Sequence, residues 1–384
     1  MVTEVSIVGI GHSRFDSSTP KISTKEMMFE AATRAYEDAG VDPRKDVQTF
    51  ICCTEDLWEG NSISDEYMPD QLGAALRPLC TVSSDGLFGI CTAYMQIKSG
   101  LADLAVVEAH SKVSEVHTKT KVQEYGLDPI FLRPLELHPL SLAGLEMRSF
   151  LRGSGLKAEH CARVVVKNHR NALGNPDAVY PARISVKDVL SSRVRFDPLK
   201  SLDISAYADG SIVVVLASKH RAKSLTDEPV WIEGLGWSSE TAWVEAREWS
   251  KATYARLAAD MAYRMAGIDN PSEEVDLAEV DDTFSYKELQ HLESLRLVKG
   301  GTSGKLIEQG YTTRDGELPV NVSGGSLGFG HLLEATGLQK VLEAVQQLRG
   351  RAKGRQVSGA KRALVQSWRG IPTATGAVVI LGSQ

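Results

Sequence analysis

Apolar runs of strand length alternate along the chain with stretches of helical periodicity. Val5–Val8, Phe50–Cys53, Leu104–Val107, Ile212–Leu216 and Ala377–Leu381 read as buried strands. Thr24–Ala39, Ala93–Ser99, Ala158–Leu173, Ala252–Ala266 and Gly337–Leu348 carry helical patterns. Strands alternating with helices predict an α/β fold with largely parallel sheets.

The pattern also repeats. AATRAYEDAGVDP (Ala31–Pro43) matches AADMAYRMAGIDN (Ala258–Asn270) at seven of thirteen positions. Each helical copy ends at a glycine, Gly40 or Gly267, which suits the left-handed residue that closes a helix. Each then leads through an acidic loop into a strand, VQTFICC or LAEVDDTF. A duplicated domain is expected, with halves 1–230 and 231–384 and a helix- and proline-rich insertion at about 127–198.

Composition narrows the function classes. The chain has 384 residues, 42% hydrophobic and 24% charged, as in an ordinary globular protein. A net charge of -6 leaves no basic surplus for a phosphate backbone, so nucleic acid is not the expected partner. No apolar run approaches the ~20 residues of a membrane helix, and MVTEVSIVGIGHSRF reads as a strand rather than a leader. Five cysteines (52, 53, 80, 91 and 161) fit no C-x-x-C pattern, which predicts a reducing, cytoplasmic setting and no metal site.

Two glycine-containing segments stand out. Gly9 and Gly11 follow a strand but lack the third glycine and the immediate helix of a dinucleotide loop, so they read as a tight turn. Asn321–Gly350 begins with a loop in which glycines 324, 325, 328 and 330 precede His331, and ends in an amphipathic helix. Such glycines let backbone approach a ligand with N–H groups exposed, which marks His331 as a residue with a chemical role.

At this point the sequence resembles the thiolase superfamily, nearest its sterol-carrier-type and archaeal branch. NVSGGSLGFGHLLEATG is similar to the family's N-x-x-GG-x-x-x-x-GHP-x-GATG, and SGLADLAVVEAHSK to S-G-x-x-D-x-x-x-V-x-x-x-E-K. VVVKNHRNALGNP, VLSSRVRFDPLKSLDISAYADGS and EVDDTFSYKEL follow in the family's order. The resemblance implies a duplicated five-layer α/β/α/β/α fold with two mixed sheets, assembled on a homodimer core. It also implies acyl-CoA as substrate or ligand, with no covalently bound cofactor. The family's chemistry is acyl transfer or Claisen condensation through a Cys thiolate at a helix N-terminus, where the pKa of a thiol falls.

The catalytic positions depart from that pattern. Counting back from Ser99-Gly100, the family's C-x-S-G falls on Ser83-Ser84-Asp85-Gly86, which puts Ser83 at the nucleophile position. Cys80 is the nearest thiol before it. The H-D-C-F of the sterol-carrier branch reads Asp281-Asp282-Thr283-Phe284, so Asp281 replaces an oxyanion-site residue and must be protonated, turned away or used as a base. A Ser without a thiolate-like pKa needs an adjacent base. Three functions follow. The first is a thiolase-like subunit of an acyl-CoA carbon–carbon bond-forming or -cleaving complex, lacking the catalytic Cys and either non-catalytic or partly catalytic itself. The second is a retro-aldol lyase acting on a CoA thioester without an acyl-enzyme, using His331, Asp281 and Tyr286 with Ser323 and the backbone of Gly324, Gly325 and Gly330 around the substrate. The third is an acyltransferase using Ser83 or Cys80. The implied partner is a second thiolase-like chain or a small OB-fold or zinc-ribbon subunit. Trp231, Trp237, Trp243 and Trp249 read as packing residues, Lys219, Arg221 and Lys223 as a solvated basic turn, Asp203 and Asp209 as turn braces, and Glu55-Asp56-Leu57-Trp58 as dimer-contact residues.

Overall fold

The computed structural model describes residues 4–55, 63–116 and 118–383. In chain order these form β1 (Val5–His12), α1 (Thr24–Ala39), β2 (Thr49–Cys53), β3 (Leu79–Val82), α2 (Gly86–Lys98) and β4 (Leu104–Ser111). Then come α3 (Pro139–Ser154), α4 (Ala158–Ala172), a small hairpin of β5 (Val194–Phe196) and β6 (Leu199–Lys200), and β7 (Gly210–Ser218). The rest is β8 (Val230–Ser239), α5 (Thr253–Ala266), β9 (Leu277–Glu279), α6 (Ser285–Ser294), α7 (Gly325–Phe329), α8 (Thr336–Leu348), β10 (Arg362–Trp368) and β11 (Thr375–Gly382).

The strands pair in the order β3-β2-β4-β7-β1-β8-β11-β10-β9. Two half-sheets meet where Ser6 pairs with Trp231 and Ile7 with Val230, so they join into one ladder. Each half has the same topology. β3, β2 and β4 run parallel, β7 lies antiparallel to β4, and β1 lies antiparallel to β7 and so runs in the same direction as the first three. In the second half a single parallel bridge from Val320 to Ala278 takes the place of β3, followed by β9 and β10 in parallel, then β11 antiparallel to β10 and β8 antiparallel to β11. The expected largely parallel sheet is therefore mixed, because the last strand of each half returns antiparallel beside the first.

Alternation along the strands sorts the core into layers. Inward residues Ile7, Ile51, Val107 and Val214 of one half-sheet, and Leu277, Val365 and Val379 of the other, enclose α2 and α8 through Leu87, Ile90, Leu338 and Val341. Outward residues Val8, Phe50, Val106 and Val213 pack under α1. Ala278, Leu364 and Val378 pack under α5 and α6 (Ala258, Ala262, Leu289). The result is helix, sheet, helix, sheet, helix. The segment read as an insertion contributes Met147 and Phe150 of α3 and Val164 and Val165 of α4 to that last cluster.

Gly9 and Gly11 lie inside β1, not in a turn. A Cβ on Gly11 would stand 2.3 Å from the Ala35 amide nitrogen of α1. Gly236 of β8 meets α5 in the same way, its Cβ falling 2.2 Å from the Ala258 carbonyl. The glycine pair in each half's first strand thus seats the repeated helix. That helix closes at Gly40 (φ +66) or Gly267 (φ +68), both left-handed as expected. No helix among the described residues is long and apolar enough to cross a membrane.

Candidate active site

A cavity of about 400 Å³ forms where the loops after several strands meet the N-termini of the two middle-layer helices. Its wall includes Asp85 ahead of α2, Ser205 and Tyr207 ahead of β7, Thr283 ahead of α6, His331 between α7 and α8, and Trp368 at the end of β10. Phe284, Leu140 and Ile371 make part of it apolar, and the 119–126 segment covers one side. Ser205 Oγ is buried in this wall with no hydrogen-bond partner among the described residues.

His331 is fixed on three sides. Its amide donates to the Ala206 carbonyl (2.8 Å), and its carbonyl accepts from the Ala208 amide (3.0 Å). The Tyr207 ring stands edge-on to the imidazole, with centroids 5.1 Å apart. The Leu333 amide donates to Nδ1 at 3.1 Å. That nitrogen must then carry a lone pair, so the neutral ring holds its proton on Nε2. Desolvation in the cavity wall, then the Lys340 cation, push its pKa down to about 4 against the opposing pull of Asp282. At neutral pH His331 is an uncharged N–H donor.

Asp85 joins the two middle helices. One carboxylate oxygen accepts the Leu87 amide of α2 at 2.9 Å and the other the Gly337 amide of α8 at 2.8 Å. The residue is 3% exposed. Burial lifts its pKa to about 6 and Asp281 adds to the rise, while the two amides pull the other way.

The residues expected from the sequence occupy less of this wall than the motifs suggested. Of the candidate catalytic and substrate-binding residues, only His331 lines the cavity. Ser83 is exposed and lies outside the wall. Asp281 is fully buried behind it, its carboxylate accepting the Thr283 amide (3.1 Å) and hydroxyl (3.2 Å), and burial lifts its pKa to about 6. Tyr286 is a core residue. Its hydroxyl donates to Glu146 at 2.8 Å, and its ring stacks on Phe284. Ser323 donates to Glu279 (2.6 Å), and the amides of Gly324, Gly325 and Gly330 donate to Asn321, Ser323 and Ser326. The glycine loop therefore closes on itself rather than presenting donors to a ligand. Its tight turns serve Asp282, which accepts the Ser326 and Leu327 amides at the start of α7.

The thiols stand apart from the cavity. Cys52, Cys53, Cys91 and Cys161 are buried and Cys80 is half-buried on β3, and none borders it. Burial pushes the Cys91 thiol up to about 12 and raises that of Cys80.

Residues 236–383 match the thiolase C-terminal domain-like family. An acetyl-CoA acetyltransferase of Methanothermobacter thermautotrophicus is 31% identical over 367 residues, spanning 93% of this chain and 94% of the relative. The chain belongs to the thiolase superfamily. Sterol carrier protein 2 of Bos taurus is 29% identical over 387 residues, 94% of this chain and 69% of that protein. Among solved structures, the Ltp2-ChsH2(DUF35) aldolase superposes with a TM-score of 0.85 at 25% identity, over 99% of this chain and 98% of that one.

Asp85 is the residue of this thiolase-superfamily chain that the sequence reading passed over. Its signal was present, since an Asp directly before an apolar helical run marks an N-cap. Thr283 stands at the Cys position of the H-D-C-F motif, and Ser205 and Tyr207 fall in the DISAYADGS segment, but their neighbours in the cavity are distant in sequence, so their place in one wall was not marked. Away from the cavity, Lys219 pairs with Glu4 and Arg221 with Asp46. Asp209 accepts bonds from Thr19 and Ser114, and Asp203 from Ser285, as turn braces do. Glu55 pairs with Arg369 (2.7 Å) at the cavity edge, while Asp56, Leu57 and Trp58 lie outside the described residues. The metal-type donors of Cys52, Glu108 and His110 lie within 4.8 Å of one another. They are buried and linked to each other by hydrogen bonds through Glu108.

Proposed function

We propose that this thiolase-superfamily chain is a lyase that breaks a carbon–carbon bond in a β-hydroxyacyl-CoA by a retro-aldol step, without an acyl-enzyme. The observation that carries this reading is a cavity holding a neutral imidazole donor and a buried carboxyl, with none of the five cysteines at its wall. Acyl transfer needs an activated nucleophile, and an exposed Ser83 outside the wall does not supply one. A retro-aldol step needs only a base for a hydroxyl proton and a donor for the thioester oxygen as it becomes an enolate. His331, with its proton on Nε2, suits the second role. The reading of the chain as a purely architectural subunit leaves the presence of Asp85 and His331 in one cavity wall without a purpose.

The likeness to the Ltp2-ChsH2(DUF35) aldolase supports the same reaction class and a small DUF35-type subunit as partner. The likeness to acetyl-CoA acetyltransferases supports a CoA thioester as the ligand. A homodimer core within that assembly accords with the family resemblance. The test is incubation of the chain, alone and with a DUF35-type subunit, with β-hydroxyacyl-CoA esters. The expected products are a ketone or aldehyde and a shortened CoA ester, with the intact protein mass unchanged. An acyl group found on Ser83 or Cys80 would overturn the proposal.

A further inference from the structure

We infer that Asp85 is the general base of this reaction, its carboxylate taking the proton of the substrate's β-hydroxyl. The inference rests on the lyase reading above and goes beyond it by naming the group that moves the proton. Three features of the geometry support it. Asp85 lies in the cavity wall that also holds His331. Its oxygens accept the Leu87 and Gly337 amides, one each, and the carboxylate is also hydrogen-bonded by the Ser367 side chain, so of its roughly four acceptor positions one is left for a substrate proton. And a cap alone would not call for a carboxylate: the family motif that this segment resembles carries Ser at this position, and Ser caps a helix as well as Asp does. Replacing that neutral cap by a carboxyl that is 3% exposed adds a desolvation cost, which a proton-transfer role accounts for.

The step balances without a co-reactant. The Asp85 carboxylate takes the hydroxyl proton, the Cα–Cβ bond breaks, and the β-carbon leaves as a carbonyl. The bonding pair passes to the thioester as an enolate, whose oxygen accepts the Nε2–H of His331. The enolate α-carbon then takes the proton back from Asp85, which returns to the carboxylate. The ionisable groups around Asp85 are compatible with a carboxyl poised near pH 6. Asp281 repels its charge, and the thiols of Cys53 and Cys91 packed nearby stay protonated. Across the cavity stand His331, Glu334, Lys119, His138 and the Glu55–Arg369 pair.

The last half-step, run backwards, provides the test. The full chain, with and without a DUF35-type subunit, is incubated with propionyl-CoA in D2O, and α-deuterium uptake is followed by mass spectrometry. The wild-type protein should exchange, with a rate that rises through about pH 6 and then levels. Asp85→Asn and Asp85→Ser should each lower the rate by ~100-fold or more and lose the ionisation near that pH. The Ser variant keeps a helix cap, so it carries the test if the Asn variant does not fold. Unchanged exchange, or an unchanged pH profile in a destabilised variant, would reduce Asp85 to a cap while leaving the lyase reading intact. No exchange by the wild-type protein would overturn both.

Discussion

With Nδ1 held by the Leu333 amide, the imidazole of His331 presents a proton at Nε2 and no lone pair there. It can polarise a thioester oxygen but cannot take a proton until that bond is broken. His331→Ala should therefore lower turnover by ~100- to 1,000-fold, the effect of deleting one oxyanion donor. Because its pKa is pushed down to about 4, the wild-type rate should show no imidazole ionisation between pH 6 and 8, which a pH–rate profile checks. His331 was legible in the sequence because four glycines crowd into the seven residues just before it, although those glycines turn out to serve Asp282. Asp85 was legible as a helix cap but not as a cavity residue. Counting along a motif identifies positions, but Ser83 and Asp85 sit on a strand-to-helix turn, and only the folded turn decides which of them faces inward.

Between elements, close approach replaces side-chain bulk at the site. A Cβ on Gly337 would stand 2.0 Å from a carboxylate oxygen of Asp85. Gly337 sits in the first turn of α8, where Ala would ordinarily favour the helix by ~1 kcal/mol. Here the sign should reverse. Gly337→Ala is expected to lower the melting temperature and to displace Asp85, so that α-exchange with propionyl-CoA falls as in the Asp85 variants; a raised melting temperature would contradict the packing described. The helices that carry strong periodicity were read well, α1 to the residue. The helix read at Ala93–Ser99 begins at Gly86 instead, because Gly86 and Gly89 mask the pattern of its first turns. Both are needed there: a Cβ would strike Leu338 in one case and Cys53 in the other. The glycine pairs of β1 and β8 were a further copy of the repeat, VSIVGIG against VWIEGLG, and their meaning is tertiary rather than local.

Across the whole molecule, duplication explains why titratable groups collect in the interior. Two half-sheets close on α2 and α8, and the loops that would face solvent in a single sheet are buried between them. Asp85 and Asp281 both rise to about 6 from an ordinary 3.8 for this reason. The folded chain then holds protons that the unfolded chain has released, so stability falls as pH rises. Their contribution is present in full below the unfolded value of 3.8 and is lost through about pH 6, each on the order of 3 kcal/mol. Asp38 works in the opposite direction. Burial would raise its pKa, but Arg349 and Arg351 outweigh that and hold it below the usual range. That pair links α1 to the end of α8, and its contribution is lost as pH falls below the ordinary carboxylate value. The contribution of the two aspartates should accordingly decline from about pH 4 to about pH 6 and level above it, while His331, held down to about 4 from an ordinary 6.5, adds stability over much of the same range and offsets part of the fall. Asp281 lies behind the cavity wall and not in it, so Asp281→Asn removes one of the two buried carboxyls without removing a wall residue, and it should also lower the Asp85 pKa by removing the charge that repels it. The variant should gain stability at pH 8 relative to pH 5 and flatten the profile, measured by scanning calorimetry at both values. A variant whose pH dependence matches the wild type would mean that the buried carboxylates do not set it.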